Sequence, residues 1–415
     1  MEKQKIAELR KILTSRLNRP MRYYNDTCTR CGLCYDTCHA YQGIPEKIYS
    51  PVGRAEVVRK LYKKYTRLSG YLFPYWGDST SFNDPVMDEA YKAVWSCTGC
   101  RRCVMNCPFG IDTALMMSVG KHLLIQNGTA PEELVMLADA AVEKGKSIEE
   151  FKEGYRQVIR DLEKEVQKRL GLAEPDGLIP MEKKNAEILY VGLAGAHTIV
   201  NPAIIFNAAR ENWTLSFFEG VNFGFFAGDP EKADFIAKRI INEATALNVK
   251  EIVIVECGTA FRIMRFLMGK LPFKVSSIVE VIHRYLAAGR IKLKDKSVAE
   301  PVTYHDPCQI GRNGGIYDEP RDIIHAVAAD YREMSPTREQ NWCCGGGGGL
   351  VALDNEEFRI KSGKPKKEQI VKTGAKIVVT ACENCVMQLK TIANGYGLDV
   401  EIKYLTEFVC ENLIR

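Results

Sequence analysis

The sequence predicts an α+β multidomain protein, in which a helical N-terminal region precedes two α/β lobes. Three observations support this fold class. The chain has 415 residues, enough for two or three domains of about 150 residues each. Apolar residues follow helical spacing in the first part of the chain, whereas short β-branched runs alternate with helical segments from Ala186 onward. Its 46% apolar and 26% charged residues indicate a globular protein with a sizeable core, which excludes a disordered or fibrous chain.

Charge and hydropathy exclude two classes of function. There are 57 Lys and Arg residues against 52 Asp and Glu, and this net charge of +5 is too small to indicate nucleic-acid binding. No run approaches the ~18 consecutive apolar residues of a membrane span. The charged start, Met1–Lys5, is not followed by the apolar segment of a secretory signal. We therefore expect a cytoplasmic protein that reaches the inner face of a membrane only through a partner subunit.

The N-terminal part is expected to be helical throughout. We place a helical domain at residues 1–140 and a helical linker at 141–183. Helices are predicted over residues 2–17 and over Ala114–Gln126. Ser147 and Glu150 have the spacing of a capping box at the start of the linker helix. The apolar face of that helix is predicted to consist of Phe151, Tyr155, Val158, Leu162, Val166 and Leu170. The residues predicted to end it are Gly171, Pro175, Gly177 and Pro180.

The C-terminal part is expected to contain a mainly parallel sheet with helical crossovers. The predicted strands are Ile188–Val191, Ile252–Val255, Val302–Tyr304 and Ile377–Thr380, and the predicted helices include Pro230–Leu247 and Lys364–Lys372. Residues 246–257 faintly repeat residues 373–382, because each stretch runs from a helix end through a strand to a cysteine. We therefore divide this part into lobes at 184–300 and 301–415. Sites in α/β sheets lie at the C-terminal ends of strands, which is where the two cysteines fall.

Fifteen cysteines are too many for packing alone, and a chain of this size does not need a disulfide scaffold. Clustered reduced thiols in a chain without a signal peptide indicate metal binding. Thirteen of the fifteen fall into three groups, and only Cys257 and Cys410 stand apart.

The first two groups share the spacing C-x2-C-x2-C-x3-C, which is typical of proteins with two [4Fe–4S] clusters. In this pattern three cysteines hold one cubane and the fourth reaches the neighbouring cluster. We assign one cubane to Cys28, Cys31, Cys34 and Cys107, and the other to Cys97, Cys100, Cys103 and Cys38. Zinc is the alternative, but tetrahedral zinc sites favour paired C-x2-C units. Residues 39–96 separate the motifs, a spacing that resembles the helical ferredoxin domain of respiratory iron–sulfur subunits. His39 follows the first motif, whereas Pro108 follows the second.

The third group comprises Cys308, Cys343, Cys344, Cys382 and Cys385. Five cysteines exceed the needs of one tetrahedral metal or one ordinary cubane, so a larger or open cluster is implied. Five glycines, Gly345–Gly349, allow the backbone to turn closely around a cofactor, and we expect Gly345 and Gly346 to line it. A phosphate-binding loop is the competing interpretation, but no Lys-Ser/Thr pair follows.

Two cubane motifs followed by a C-xn-CCG-xn-C-x2-C motif resemble the heterodisulfide reductase D-type family, in which C-type and B-type subunits are fused. The resemblance covers essentially the whole chain. It implies that the five cysteines of the third group hold a noncubane [4Fe–4S] cluster, at which disulfide sulfur is bound and cleaved.

The first lobe departs from the family pattern, which carries the five-cysteine motif twice. Cys257 remains at the first position of its C-x2-C pair, but Ala260 occupies the second. Val221–Gly224 stand at the double-cysteine position and Leu193 at the upstream one. We predict no cluster in this degenerate lobe and packing roles for Cys257 and Cys410.

A single noncubane cluster resembles the sulfite-reductase-associated and transmembrane-complex relatives of the family. Their implied partners are a membrane cytochrome b, quinone-linked or flavin subunit, together with a small thiol or a small protein that carries a disulfide or trisulfide. The predicted function is an iron–sulfur oxidoreductase subunit. In it, two cubanes relay single electrons to a noncubane cluster that reduces a disulfide or trisulfide, or oxidises thiols.

His305, beside Pro307 and Cys308, is predicted either to deliver a proton to the departing thiolate or to orient the loop by hydrogen bonding. Arg262, Arg312 and Lys390 are interpreted as solvated surface residues.

Two other functions share most of these features. One is an electron-transfer subunit for a flavin dehydrogenase of the lactate, glycolate or glycerol-3-phosphate type. The chain shows no GxGxxG after a predicted strand, so the flavin would belong to a partner. The other is a non-catalytic relay in a respiratory or bifurcating complex.

Overall fold

The computed structural model describes residues 1–174 and 177–414, so the predicted helix breaker Pro175 lies outside the described residues. The chain is helical up to the linker, and the described residues before Ile188 contain no strand. These helices are α1 (Lys3–Ser15), α2 (Arg19–Thr27), α3 (His39–Gly43), α4 (Pro51–Thr66), α5 (Leu68–Leu72), α6 (Asp84–Val94), α7 (Arg102–Met105), α8 (Thr113–Asn127), α9 (Glu132–Lys146) and α10 (Ile148–Leu170).

The helical domain is organised around α4, which is buried along most of its length and packs against α6 and α8. The predicted N-terminal helix corresponds to α1, and its apolar residues Leu9 and Leu13 are fully buried. The helix predicted at Ala114–Gln126 corresponds to α8 with one extra residue at each end. Helical spacing thus identified the faces that form this core.

Two predictions for α10 are wrong. Ser147 makes no capping hydrogen bond, because it directly follows α9, donates its N–H to the Glu143 carbonyl (2.9 Å) and has a ψ of 31° rather than the extended value of a cap. Val158 is 53% exposed, whereas its neighbour Ile159 is buried. The contact with the first helix of the lobes rotates α10 by one residue from the predicted face, so Ile159 and Val166 face the core.

Two parallel sheets form the rest of the chain, as predicted. The first has the order β2-β1-β3-β4 and the second β5-β6-β7. The strands are β1 (Ile188–Val191), β2 (Trp213–Leu215), β3 (Glu251–Ile254), β4 (Lys274–Ser277), β5 (Val302–Tyr304), β6 (Ile377–Thr380) and β7 (Glu401–Tyr404). The sequence did not reveal β2, β4 and β7. All three are short edge strands, and β4 and β7 lack the continuous apolar runs of the central strands.

Helices surround both sheets. They are α11 (His197–Ala208), α12 (Phe223–Ala227), α13 (Pro230–Ala246), α14 (Gly258–Arg262), α15 (Ile278–Ala287), α16 (Asp318–Val327), α17 (Glu356–Ser362), α18 (Lys364–Thr373), α19 (Glu383–Tyr396) and α20 (Leu405–Glu411). Short 3₁₀ turns occur at Lys47–Tyr49, Arg338–Gln340 and Leu350–Ala352, and a π-helical turn at Ile263–Leu267.

The two lobes meet at the C-terminal ends of their central strands. Cys257 caps the start of α14 after β3, and Cys382 caps the start of α19 after β6. The Glu383 N–H donates to the Glu256 carbonyl (2.7 Å), so the two strand ends touch. One apolar core includes residues of both sheets. The fold therefore brings the two halves of the sequence repeat together at one edge.

Candidate metal centres

The two N-terminal cysteine motifs have matching backbones. Two left-handed residues occur at the same positions in each loop, the second and fourth after the first cysteine. They are Arg30 (φ 61°) and Gly32 (φ 84°) in the first motif, and Gly99 (φ 67°) and Arg101 (φ 62°) in the second. Left-handed residues turn the chain sharply, so successive cysteines project toward a common centre.

The structure places Cys107 with the first motif. A single cavity is lined by Cys28, Cys31, Cys34, Cys103 and Cys107. The four cysteines assigned to the first cubane are thus all on one cavity, together with one cysteine of the second motif. Which sulfur would bind which iron stays a prediction.

Cys38, the last cysteine of the first motif, faces the second motif through Arg54. This buried arginine donates to Cys38 Sγ (3.3 Å), and also to Ser96 Oγ (2.8 Å) and Ser96 O (2.7 Å), immediately before Cys97. Burial opposes ionisation of Cys38, but the positive charges of Arg54 and His39 outweigh it and lower its pKa. Sequence reasoning missed Arg54, because nothing in its spacing connects it with the cysteines.

The five cysteines of the third group converge after β5 and β6. Cys344 Sγ lies 3.4 Å from Cys385 Sγ. Cys343 accepts hydrogen bonds from the thiols of Cys100, Cys308 and Cys344, which lower its pKa well below the usual value. The Cys385 thiol likewise lowers the pKa of Cys382 to about 7. The five sulfurs therefore form one connected set, in which Cys308 alone is partly exposed.

The donor chemistry of this set fits an iron–sulfur group. None of the fifteen cysteines, all of which lie within the described residues, forms a disulfide. The Gly345 N–H donates to Cys343 Sγ and the Gly346 N–H to Cys344 Sγ, both at 3.4 Å. Thiolate ligands with amide donors to sulfur are the usual surroundings of such clusters.

His305 points toward the third group, and its hydrogen bonds fix its tautomer. The Asn341 carboxamide oxygen accepts from Lys366 Nζ (2.7 Å), so the amide nitrogen is the group that faces His305 Nδ1 (3.3 Å). The His305 proton therefore resides on Nε2, a buried atom without a hydrogen-bond partner among the described residues. A ring nitrogen of His305 lies within 4.8 Å of the Cys344 and Cys385 sulfurs.

Electrostatics makes His305 a neutral imidazole. Burial and the nearby charge of Lys366 lower the pKa of His305 well below its usual value. Burial also lowers the pKa of Lys366 to about 7. Lys366 and Asn341 are residues that sequence reasoning missed. Asn341 stands two residues before the double cysteine, but Lys366 lies in α18 and has no sequence signal.

The glycine run is explained by close backbone contacts. A Cβ on Gly347 would lie 2.7 Å from the Thr98 carbonyl oxygen, and one on Gly348 would lie 2.6 Å from the Cys97 carbonyl oxygen. The loop thus packs directly on the backbone of the second motif. A side chain at either position would push the two apart.

Polar contacts also join the second and third groups. Thr98 Oγ1 lies 3.4 Å from Cys343 Sγ, and Gln309 Nε2 donates to the Gly99 carbonyl (3.1 Å). Arg312 donates to the Cys100 carbonyl (2.9 Å) and to the carbonyls of Glu339 and Asn341. The solvated-surface interpretation of Arg312 is therefore wrong, because the domain contact supplies three carbonyl acceptors.

His39, which replaces the proline of the second motif, bridges the same regions. Its ring nitrogens contact the Ser362 carbonyl (3.2 Å) and Thr98 Oγ1 (3.3 Å). A proline could not make either contact.

In the degenerate lobe, Cys257 is buried, and Asn222 Nδ2 donates to its sulfur (3.1 Å). Asn222 comes from the segment predicted at the double-cysteine position, and Ala260 is buried beside it. Burial and the nearby Cys382 raise the pKa of Cys257 to about 12. Cys410 is buried and donates to the Asn201 carbonyl (3.2 Å).

Comparisons with known proteins agree with this division. Residues 24–111 match the family described as a 4Fe-4S dicluster domain, and residues 302–390 match the cysteine-rich domain family. The chain is 27% identical to the Hdr-like menaquinol oxidoreductase iron-sulfur subunit of Archaeoglobus profundus, over 96% of this chain and 81% of that protein. It is 26% identical to the D-type subunit of the dihydromethanophenazine:CoB–CoM heterodisulfide reductase of Methanosarcina mazei, over 94% of both chains.

A further relative is the EtfAB:quinone oxidoreductase of Syntrophomonas wolfei, with 24% identity over 89% of this chain and 55% of that protein. Among solved structures, an aspartate racemase homologue from Pyrococcus horikoshii shares 13% identity with a TM-score of 0.23. It covers 56% of this chain and 96% of that one, and the score is too low to indicate a shared fold.

Fold, site and relatives define an iron–sulfur oxidoreductase that combines a 4Fe-4S dicluster domain with a cysteine-rich CCG domain. The chain belongs to the heterodisulfide reductase D-type family.

Proposed function

We propose that this chain is the iron–sulfur subunit of a redox complex that reduces a disulfide or trisulfide, or oxidises the corresponding thiols. Two cubanes would be held by the eight N-terminal cysteines, and a noncubane cluster by Cys308, Cys343, Cys344, Cys382 and Cys385. When bound, these clusters would supply one-electron transfer steps. The observation that carries the proposal is the contact between Cys100 and Cys343, because it joins the second cubane motif to the five-cysteine site without an intervening group.

The surroundings of the five-cysteine site suit sulfur chemistry. Cys343, Cys344, Cys382 and Cys385 are buried, which excludes water from a nucleophilic thiolate product. The partial exposure of Cys308 makes its side the proposed approach for the substrate. The Nε2–H of His305 faces the site and would donate a hydrogen bond to a developing thiolate. Because that imidazole is neutral, we favour this role over delivery of a proton from an imidazolium.

The relatives suggest the partners. Two of them are named as subunits of menaquinol- or dihydromethanophenazine-linked enzymes. We propose that this chain likewise exchanges electrons with a cytochrome b, quinone-linked or flavin subunit. No described helix is long and apolar enough to cross a bilayer. A membrane-embedded electron donor would therefore be contributed by such a partner.

An electron relay for a quinone- or flavin-linked enzyme is the second candidate. It is favoured by the relative named EtfAB:quinone oxidoreductase, which matches 89% of this chain with 55% of its own length. In that case the third group would pass electrons onward and bind no substrate sulfur.

Anaerobic EPR with iron quantitation, before and after addition of thiol or disulfide, separates the two functions. The proposal expects about twelve irons per chain and a new signal that appears only in partly oxidised protein with thiol. About eight irons, or a fully loaded protein whose spectrum ignores thiol and disulfide, would reject sulfur chemistry and favour the relay.

A further inference from the structure

Six large apolar side chains project from one segment between α4 and α6, residues 68–76, which we call the aromatic loop. Each is more than half exposed, with Tyr75 at 90% and Trp76 at 87%. The others are Leu68, Tyr71, Leu72 and Phe73. Contiguous exposure of this kind marks a surface that binds something, because soluble proteins rarely leave such a patch uncovered.

The backbone of the aromatic loop is well satisfied, so the exposure is not that of a loose connection. The Gly77 N–H donates to the Phe73 carbonyl (2.7 Å), and Ser79 Oγ donates to the Gly70 carbonyl (2.7 Å). A Cβ on Gly77 would lie 2.7 Å from the Gly70 Cα, so two glycines pack back to back at the base of the loop. This packing closes the base and leaves the apolar side chains directed outward.

Positive charge surrounds the base. Lys64 Nζ donates to the Tyr71 carbonyl (3.3 Å) and lies 5.4 Å from the centre of the Tyr71 ring. Lys60, Lys63 and Arg67 precede the loop on the same helix and its end. The surrounding region is also basic: residues 1–80 contain fifteen Lys and Arg against seven Asp and Glu, a net charge of +8, whereas the remaining residues total −3.

We propose that the aromatic loop docks this protein directly on a bilayer that contains anionic lipids. Trp and Tyr prefer the interface between headgroups and acyl chains, and lysines at the base would meet the lipid phosphates. An apolar tip above a basic base is the arrangement of a peripheral membrane anchor. It does not depend on the function proposed for the cysteine sites.

The loop also fixes the orientation of the docked protein. Arg30, between Cys28 and Cys31 of the first motif, pairs with Asp78 at the end of the loop, and its second partner is Glu56 (2.7 Å). Docking through the loop would therefore place the first cubane motif toward the membrane, and the third cysteine group beyond the second motif.

The test is co-sedimentation of the full-length, cluster-loaded protein with two kinds of vesicle: phosphatidylcholine alone, and phosphatidylcholine with about a third phosphatidylglycerol. The wild type is compared with the triple variant Phe73→Ser, Tyr75→Ser, Trp76→Ser. These side chains are exposed, so the variant should fold. The matched control is Met136→Ser, Val158→Ser, which removes two exposed apolar side chains from α9 and α10.

We expect the wild type and the control to bind the anionic vesicles, and the triple variant to bind about tenfold more weakly. Lys60→Gln, Lys64→Gln should weaken binding to the anionic vesicles and leave binding to phosphatidylcholine unchanged. Equal binding of the wild type and the triple variant would overturn the proposal. Failure of the wild type to bind anionic vesicles would also overturn it, and would leave an apolar surface of a protein partner as the occupant.

Discussion

The two lobes use the same loop position for opposite purposes. In the C-terminal lobe, residues 343–349 carry two cysteines and a glycine run that packs on the second cysteine motif. In the degenerate lobe, residues 221–227 carry phenylalanines, and Phe226 is part of the apolar core of the helical domain. Lys121 Nζ donates to the Phe226 carbonyl (2.8 Å) and to the Gly348 carbonyl (2.7 Å), so one side chain holds both loops.

This comparison teaches that losing a cluster need not remove the structure around it. The degenerate lobe keeps the strand-end cysteine and its contact with the facing loop, but an amide now occupies the position opposite the sulfur. Its loop contributes adhesion to the helical domain, whereas the intact loop contributes thiols.

The largest difference should appear when the strand-end cysteines are exchanged for serine. Cys382→Ser should lose the third cluster, about four of about twelve irons, together with the thiol-dependent EPR signal. Cys257→Ser, its counterpart in the degenerate lobe, should keep both. Iron quantitation and EPR on the two variants check this. Equal iron loss in both would mean that Cys257 is a ligand and that the degenerate lobe takes part in the site.

His305 should matter for turnover more than for assembly. His305→Asn removes the Nε2–H that faces the cysteines, and a hydrogen bond to a charged sulfur is worth about 1.5 kcal/mol, or about tenfold in rate. We expect disulfide turnover to fall by that factor with the iron content unchanged. His325→Asn, at an exposed position in α16, is the control. Unchanged turnover in His305→Asn would remove histidine from the chemistry, and iron loss would make it a structural residue.

A smaller effect is expected from Lys366, which places a positive charge beside the third group. Lys366→Met should lower the reduction potential of the third cluster by about 60 mV, because losing about 1.4 kcal/mol of charge stabilisation corresponds to about 59 mV for one electron. The titration is best monitored by EPR at about pH 6, where Lys366 is protonated because its pKa is lowered only to about 7. The exposed Lys390→Met is the matched control. Identical potentials in the two variants would refute the electrostatic role.

The smallest effect on the sulfur chemistry should come from the degenerate loop. Phe226→Ala should destabilise the protein by about 3 kcal/mol through loss of buried contacts, and leave the third cluster and its thiol response intact. Denaturant unfolding and EPR on the same preparation measure the two properties. Phe225→Ala, at a less buried position, should destabilise the protein less. Loss of the thiol response in Phe226→Ala would show that the two loops are coupled through Lys121.

The sequence could predict what depends on local spacing. Cysteine spacing identified the three groups, and apolar runs identified the central strands β1, β3, β5 and β6. It could not predict contacts between distant segments. Arg54 and Lys366 become important only because folding brings helices α4 and α18 to the cysteines, and Arg312 is buried in a domain contact that no periodicity encodes. The misassigned face of α10 has the same origin, since its partner helix decides which side is covered.

The contact between Gly347, Gly348 and the Cys97–Thr98 backbone also constrains how this family can diversify. A chimera that joins the dicluster domain of one relative to the cysteine-rich lobe of another must inherit both sides of that contact as a matched pair. Shuffling at the predicted domain boundaries would separate the two sides. Recombination within the family is therefore expected to succeed by exchange of surface helices, and to fail where it exchanges whole domains.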